Sequence, residues 1–302
     1  MSIDIYICEP DTLSARESQM TPQSKETCMM VNSQEVVEHY GTSSLLEQVD
    51  EALQHAGLGQ GTLNWSDLVP LDQFHVRGLG ATKELAEVLS LDSRTKILDV
   101  GCGLGGPARF LAATFGCHVT GVDLSQPFVE VASKLNERCG LRDLVTCQAA
   151  DALNLPFPAE HFNVAWTQHV AMNVANRTKF YEEIHRVLTP HGRLAFYDVL
   201  AGDGRPLIFP VPWAQQPSTS FLLTLDATRE VLRNAGFHEV YCADKTEQAM
   251  TWFAEVQSRL TASTPLSIAV VMGSQFLEMA KNLGRNLQEG RVRLVQAIFQ
   301  RD

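Results

Sequence analysis

Gly101, Gly103, Gly105 and Gly106 follow directly on a short apolar run, Lys96-Ile-Leu-Asp-Val100, and lead into the helix-like Pro107-Ala-Arg-Phe-Leu-Ala-Ala113. A strand, a glycine turn and a helix in that order are how a buried parallel strand brings a ligand to the N-terminus of the next helix. Glycine suits the turn because it lets a ligand approach the backbone and takes φ > 0 without steric cost. Gly101, Gly103 and Gly106 also satisfy the dinucleotide spacing G-x-G-x-x-G. Asp99 argues against that ligand, because a carboxylate there opposes a pyrophosphate and suits a cationic or amine-bearing group. Some twenty residues on, His118-Val-Thr-Gly-Val-Asp123 reads as a second strand. Its last residue, Asp123, is placed to accept hydrogen bonds from ribose hydroxyls, or else caps the next helix.

Three further groups could move protons or hold charge. Gln168 and His169 fall just past the fourth strand, where residues of an open α/β sheet face the ligand crevice. His169 is the first candidate for a general base, since a free imidazole titrates near working pH; the alternative is a histidine hydrogen-bonded within its loop. His75 is the second candidate. Asp198 reads as the end of the fifth strand, where it could hold a cationic acceptor, orient a base or cap the strand. No His, Cys, Asp or Glu cluster has metal-ligand spacing, so no metal is expected.

The elements that must position these groups alternate between strand and helix patterns. Residues 1–32 are polar and read as a flexible arm. Residues 33–90 carry a helix pattern over 33–56, with a break at Gly41, and a segment rich in aromatic and polar residues from Trp65 to Thr82. The remainder, 91–302, holds strands near 144–148, 162–166, 193–199, 237–243 and 292–299, with helices between them. One helix is expected over 266–287. Residues 189–192 read as a hairpin-like turn, and 201–224 as an irregular insertion long enough to roof an acceptor pocket.

Four motifs in sequence, Asp99-Val-Gly-Cys-Gly-Leu-Gly-Gly106, Gly121-Val-Asp-Leu-Ser125, Ala149-Ala-Asp-Ala152 and the Leu188-Thr-Pro-His-Gly-Arg-Leu194 run, resemble a class I S-adenosylmethionine (SAM)-dependent methyltransferase. Within that class the chain is similar to the small-molecule branch holding sarcosine/dimethylglycine N-methyltransferases and natural-product sugar O-methyltransferases. The resemblance covers roughly residues 65–245. It implies an α/β fold, a Rossmann-like doubly wound seven-stranded sheet with its last strand antiparallel, plus an N-terminal helical lid. SAM would lie on Asp99, Gly101, Gly103, Gly105, Asp123 and Leu124. Asp151 and Ala152 would meet the adenine and Gln168 the methionine part. Gln73 and Phe74, with His75 and Arg77 beside them, would come from the lid. The sugar O-methyltransferases carry a histidine where this chain has Met172-Asn173, a departure that bears on the acid–base arrangement. The expected activity is methyl transfer to a small-molecule acceptor, at an amine nitrogen or a hydroxyl oxygen. Carbon methylation stays open, and a non-catalytic SAM- or dinucleotide-binding regulatory protein is the alternative.

The net charge of −11, from 24 basic against 35 acidic residues, disfavours a nucleic-acid surface. Seven cysteines without a C-x-x-C pair suit reduced thiols in the cytoplasm. No basic n-region opens the chain and no apolar run reaches bilayer length, so neither a secretory signal nor a membrane span is expected. The sequence allows a homodimer.

Overall fold

The computed structural model describes residues 45–259 and 265–302. The expected arm at 1–32 and the first part of the 33–56 helix lie outside the described residues. What is described of that helix is α1, Leu45–His55. After a 3-10 turn at Trp65–Leu68 come α2, Val69–Asp72, and α3, Leu79–Glu87.

The α/β body then begins. β1 is Lys96–Val100, α4 Gly106–Phe115, β2 His118–Asp123, α5 Gln126–Arg138 and β3 Val145–Ala149. β4 is Phe162–Gln168, α6 Arg177–Val187, β5 Leu188–Ala201, α7 Leu225–Asn234 and β6 Phe237–Asp244. Helices α8 (Thr246–Arg259), α9 (Ala269–Met272) and α10 (Phe276–Gln288) precede β7, Val292–Arg301.

The seven strands form one sheet in the order β3-β2-β1-β4-β5-β7-β6. The β1–β2, β1–β4, β2–β3 and β4–β5 pairs are parallel. β7 runs antiparallel to both its neighbours, as expected for the last strand. The order reverses between β1 and β4, and that switch point is where such sheets bind ligands. β1 is buried from Ile97 to Val100, the pattern of a central strand covered on both faces. Gly105, at φ 77°, starts α4 in the left-handed region, Pro107 occupies its first turn, and Gly116 at φ 71° ends it.

Two expectations are corrected. The helix expected over 266–287 is two helices, because Gly273 at φ 76° ends α9 in a conformation other residues avoid. Residues 189–192 do not separate α6 from β5 as a free turn. They bulge out of β5, whose register jumps from Phe162↔Leu188 to Val164↔Arg193, with His191 at φ 61°.

The N-terminal elements cap the sheet's ligand edge. Leu45, Val49 and Leu53 of α1 pack with Phe128, Val131 and Leu135 of α5. Trp65 meets the edge of Phe110, and Phe74 stacks on Phe128 with ring centroids 5.8 Å apart. Underneath, Arg109 of α4 donates to Asp72 (2.8 Å), Asn136 (2.7 Å) and the Leu104 carbonyl (2.6 Å). Both members of the Arg109–Asp72 pair are almost fully buried, so one ion pair joins α2 to the body.

Candidate functional site

The glycine loop folds back on the end of β2. The amides of Gly101 and Cys102 both donate to the Val122 carbonyl, at 2.8 and 3.0 Å. Gly101 (φ 73°) and Gly103 (φ 53°) take conformations that a side chain would strain. Space agrees with that: a Cβ on Gly101 would fall 2.3 Å from Val170, and one on Gly103 3.1 Å from the Phe74 ring. The loop is therefore clasped between the lid and the segment after β4. Asp123 closes it, accepting from the Gly103 amide and from the Ser125 amide, each at 2.9 Å. Burial holds the Asp123 carboxyl above the usual carboxylate range, against the pull of those amides.

Beside the loop opens a cavity of about 210 Å³. Its walls include Gly101, Gly103, Asp123 and Leu124, then Asp151 and Ala152, then Phe74, Gln168 and His169. Nine of the expected site residues thus meet in one place although they span 96 positions of the chain, from Phe74 to His169. Asp151 is exposed and accepts from the Leu153 amide (2.8 Å), which orients its carboxylate.

His169 sits at φ 55°, in the left-handed region, and its amide donates to the Tyr197 carbonyl at 2.9 Å. Strained non-glycine residues of this kind cluster at functional sites. Its ring lies 5.2 Å from Tyr197 and 6.1 Å from His75, centroid to centroid. The His169 Nε2 atom is buried and has no hydrogen-bond partner. Burial, and then the neighbouring His75, hold its pKa well below the usual histidine value, so the ring is neutral at pH 7.

Gln168 is held by its oxygen, which accepts from Trp166 Nε1 (3.0 Å) and lies 3.3 Å from Thr82 Oγ1. Its Nε2 is buried without a partner. His75 Nε2 is 2.9 Å from the Gly78 carbonyl and 2.9 Å from Thr82 Oγ1. A carbonyl can only accept, so this nitrogen carries the proton, and the Thr82 hydroxyl is left to donate to a glutamine oxygen. Burial lowers the His75 pKa to about 4. Thr82 thereby links the lid to the β4 end; nothing in its local pattern marked it.

Six expected residues stand outside the cavity wall, Arg77 among them, which pairs with Glu84 instead. Gln73 is 2% exposed and packs against Gly106, donating to Asp72 at 3.2 Å. His75 backs the wall from behind His169. Gly105 caps α4 against Arg109. Asp99 is buried within β1 with one oxygen unpartnered, and burial raises its pKa well above the carboxylate range. It is 2% exposed and does not line the cavity. Asp198 does not end its strand, because β5 continues to Ala201. It lies under the loop, accepting from the Val170 amide at 3.0 Å, and so positions the His169 turn without facing an acceptor. Burial raises its pKa to about 6, opposed by Arg177 and by three loop amides.

The insertion reaches the cavity through Pro212 and Trp213. Asn173 Nδ2 ties it down, donating to the Trp213 carbonyl at 2.7 Å and the Thr219 carbonyl at 3.3 Å. The far wall comes from Ile268, Met272 and Phe276, residues that carried no signal in the sequence.

Residues 98–196 match a family model described as a methyltransferase domain. That stretch of the chain carries a methyltransferase domain. The matched span runs from β1 through most of β5 and so holds the glycine loop, Asp123, Asp151 and the β4 end. Phosphoethanolamine N-methyltransferase 1 of Zea mays is 30% identical over 174 residues, 58% of this chain and 34% of that protein. Methyltransferase GfsG of Streptomyces halstedii is 36% identical over 136 residues, 45% of this chain and 49% of that one. The chain thus spans between a third and a half of the length of these relatives. The geranyl diphosphate C-methyltransferase of Streptomyces coelicolor A3(2) shares the domain's fold, with a TM-score of 0.65, 16% identity and coverage of 90% of this chain and 98% of that one.

The methyltransferase domain fits SAM on its own geometry. Gln168 and His169 both line the cavity, each with a buried nitrogen lacking a hydrogen-bond partner, and the half-buried Asp123 keeps lone pairs for ribose hydroxyls. Asp123→Ala removes that acceptor and also frees the Gly103 amide. The expected loss is about 1–3 kcal/mol of SAM affinity, measured by calorimetry; wild-type affinity in the variant would remove the cofactor from this loop.

Proposed function

We propose that the protein transfers the methyl group of SAM to a small-molecule acceptor, at an amine nitrogen or a hydroxyl oxygen. The observation that carries this reading is the meeting of the glycine loop and Asp123 with Gln168 and His169 in one cavity. SAM supplies a methyl carbon bonded to a positively charged sulfur, which makes it a target for a lone pair. The chain's own residues align and deprotonate. Asp123 and the glycine loop hold the nucleoside, with Asp151 and Ala152 at the adenine. Gln168, fixed by Trp166, presents its free amide hydrogens to the methionine carboxylate. When bound, SAM would supply the methyl carbon, with sulfur keeping the electron pair of the bond that breaks, while His169 would take the proton of the attacking atom and pass it to solvent. Positioning in line is the larger part of such catalysis, and a neutral imidazole stands ready for the proton.

The phosphoethanolamine and glycine/sarcosine/dimethylglycine N-methyltransferases among the relatives support a small-molecule acceptor. The acidic net charge agrees with an acceptor that is not a nucleic acid. The cysteine pattern supports a cytoplasmic setting, and among the described residues no helix is long and apolar enough to cross a membrane. Incubation with SAM and candidate acceptors, followed by detection of S-adenosylhomocysteine, tests the activity. SAM binding without any product across neutral, cationic and anionic acceptors would favour a regulatory binding protein.

The lid reading has its own check. Phe74 covers Gly103 and Thr82 touches Gln168, so residues 65–82 are expected to gain protection from hydrogen exchange when S-adenosylhomocysteine is added. Equal exchange with and without ligand would leave the segment as scaffold.

A further inference from the structure

We propose that the acceptor is an uncharged, largely apolar molecule carrying its reacting hydroxyl or neutral amine at one end, and that phosphorylated or permanently charged acceptors are turned away. The proposal rests on the methyl-transfer reading and concerns the half of the cavity beyond His169. Among the described residues that line the cavity, the charged side chains are Asp123 and Asp151, both at the nucleoside end. No lysine or arginine joins them. The rest of the lining includes the apolar side chains of Met172, Pro212, Trp213, Ile268, Met272 and Phe276.

The polar side chains in that half are already engaged. Asn173 donates to two backbone carbonyls of the insertion, and Asn176 caps α6 by accepting from the Lys179 amide at 3.0 Å. Asp198, the carboxylate that could have held a cation, is 1% exposed and bonded to loop amides. Trp213 is 2% exposed, its indole nitrogen donating to Ser220 Oγ at 2.9 Å, so its ring face is taken up by packing. Among the described residues no lysine or arginine meets a phosphate entering this space, and an ammonium would find a carboxylate only at the Asp123 and Asp151 end, so either would lose hydration without full replacement. An apolar body would replace water against apolar walls, and its one polar end would meet the unpartnered Nε2 of His169.

The test uses the full chain saturated with S-adenosylhomocysteine and 1-naphthol as probe, followed by fluorescence. Saturable binding is expected. Phosphoethanolamine and dimethylglycine, at millimolar concentration in a calorimeter, are expected to give no saturable heat. Phe276→Lys, in the cavity wall, should weaken 1-naphthol at least about tenfold while S-adenosylhomocysteine affinity stays at its wild-type value; Phe276→Leu should bind like wild type. If Phe276→Lys does not fold, Met272→Lys carries the same expectation. Three results would each overturn the proposal: absence of saturable 1-naphthol binding, binding of either charged compound, or unchanged 1-naphthol affinity in the folded lysine variants. Failure of the wild-type chain to bind S-adenosylhomocysteine would overturn the methyl-transfer reading itself, which the first titration separates from the rest.

Discussion

Replacing His169 by alanine is expected to lower turnover about 10²–10⁴-fold and to leave SAM affinity nearly unchanged. The ring reaches the cavity from the end of β4, and its Nε2 is buried with no protein partner. Its strained backbone is fixed by the Tyr197 carbonyl, and Asp198 holds the Val170 amide that follows it. The alanine variant keeps those backbone bonds, so the loss isolates the imidazole. A group acting only in the transition state lowers kcat and kcat/KM together. An increase confined to the acceptor's KM would make His169 a binding contact, and wild-type kinetics in both respects would end its catalytic reading, with His75 tested next. The pH profile supplies a second readout. Because burial and His75 lower the His169 pKa, the base form persists through neutral pH, and it is lost only as pH falls through the lowered value. The kcat/KM of the free enzyme should therefore be flat near pH 7, with its acid limb below the ordinary histidine value of about 6.5. A limb above that value would show that His169 is not the group titrating.

Asp72→Ala is expected to destabilise the fold by about 3–5 kcal/mol, the range for stripping one partner from a buried ion pair. Arg109 is 0% exposed and would be left with a charge balanced only by the Asn136 oxygen and the Leu104 carbonyl. Its Nε already lacks a partner. The pair itself need not be strongly stabilising: burial raises the Asp72 pKa by more than Arg109 lowers it. Replacing both residues by apolar ones of similar volume, Asp72→Leu with Arg109→Met, should recover much of the loss. Urea unfolding at constant m-value measures the single and double variants. A loss below about 1 kcal/mol for Asp72→Ala would show that water reaches Arg109, and that α2 is not anchored through this pair.

The readable part of the protein is local. An apolar run, glycines at positive φ and Pro107 in a first turn act within a dozen residues, and together they specify β1, the glycine loop and α4 before any distant contact forms. The same holds for Asp123, whose partners are the loop it follows and the Ser125 amide beside it. Strand existence and order were legible too; bounds moved by a residue or two, or by five at the start of β5, where a bulge at 189–192 hides the pairing.

Orientation and distant assembly were not readable. Asp99 and Asp198 look like strand-end carboxylates, yet each is sealed within the sheet, because strand length and the covering helices decide whether a side chain meets the crevice. Placing His75 beside His169 needs the 93 residues between them folded first. So does the Thr82 bridge to Gln168, and so does the apolar wall from Ile268, Met272 and Phe276. Sequence alone determined the glycine loop and the place of Asp123 beside it, since backbone conformation and near neighbours settle them. Only the tertiary structure decided which histidine lines the cavity and which side chains share its wall, since both depend on elements far apart in the chain.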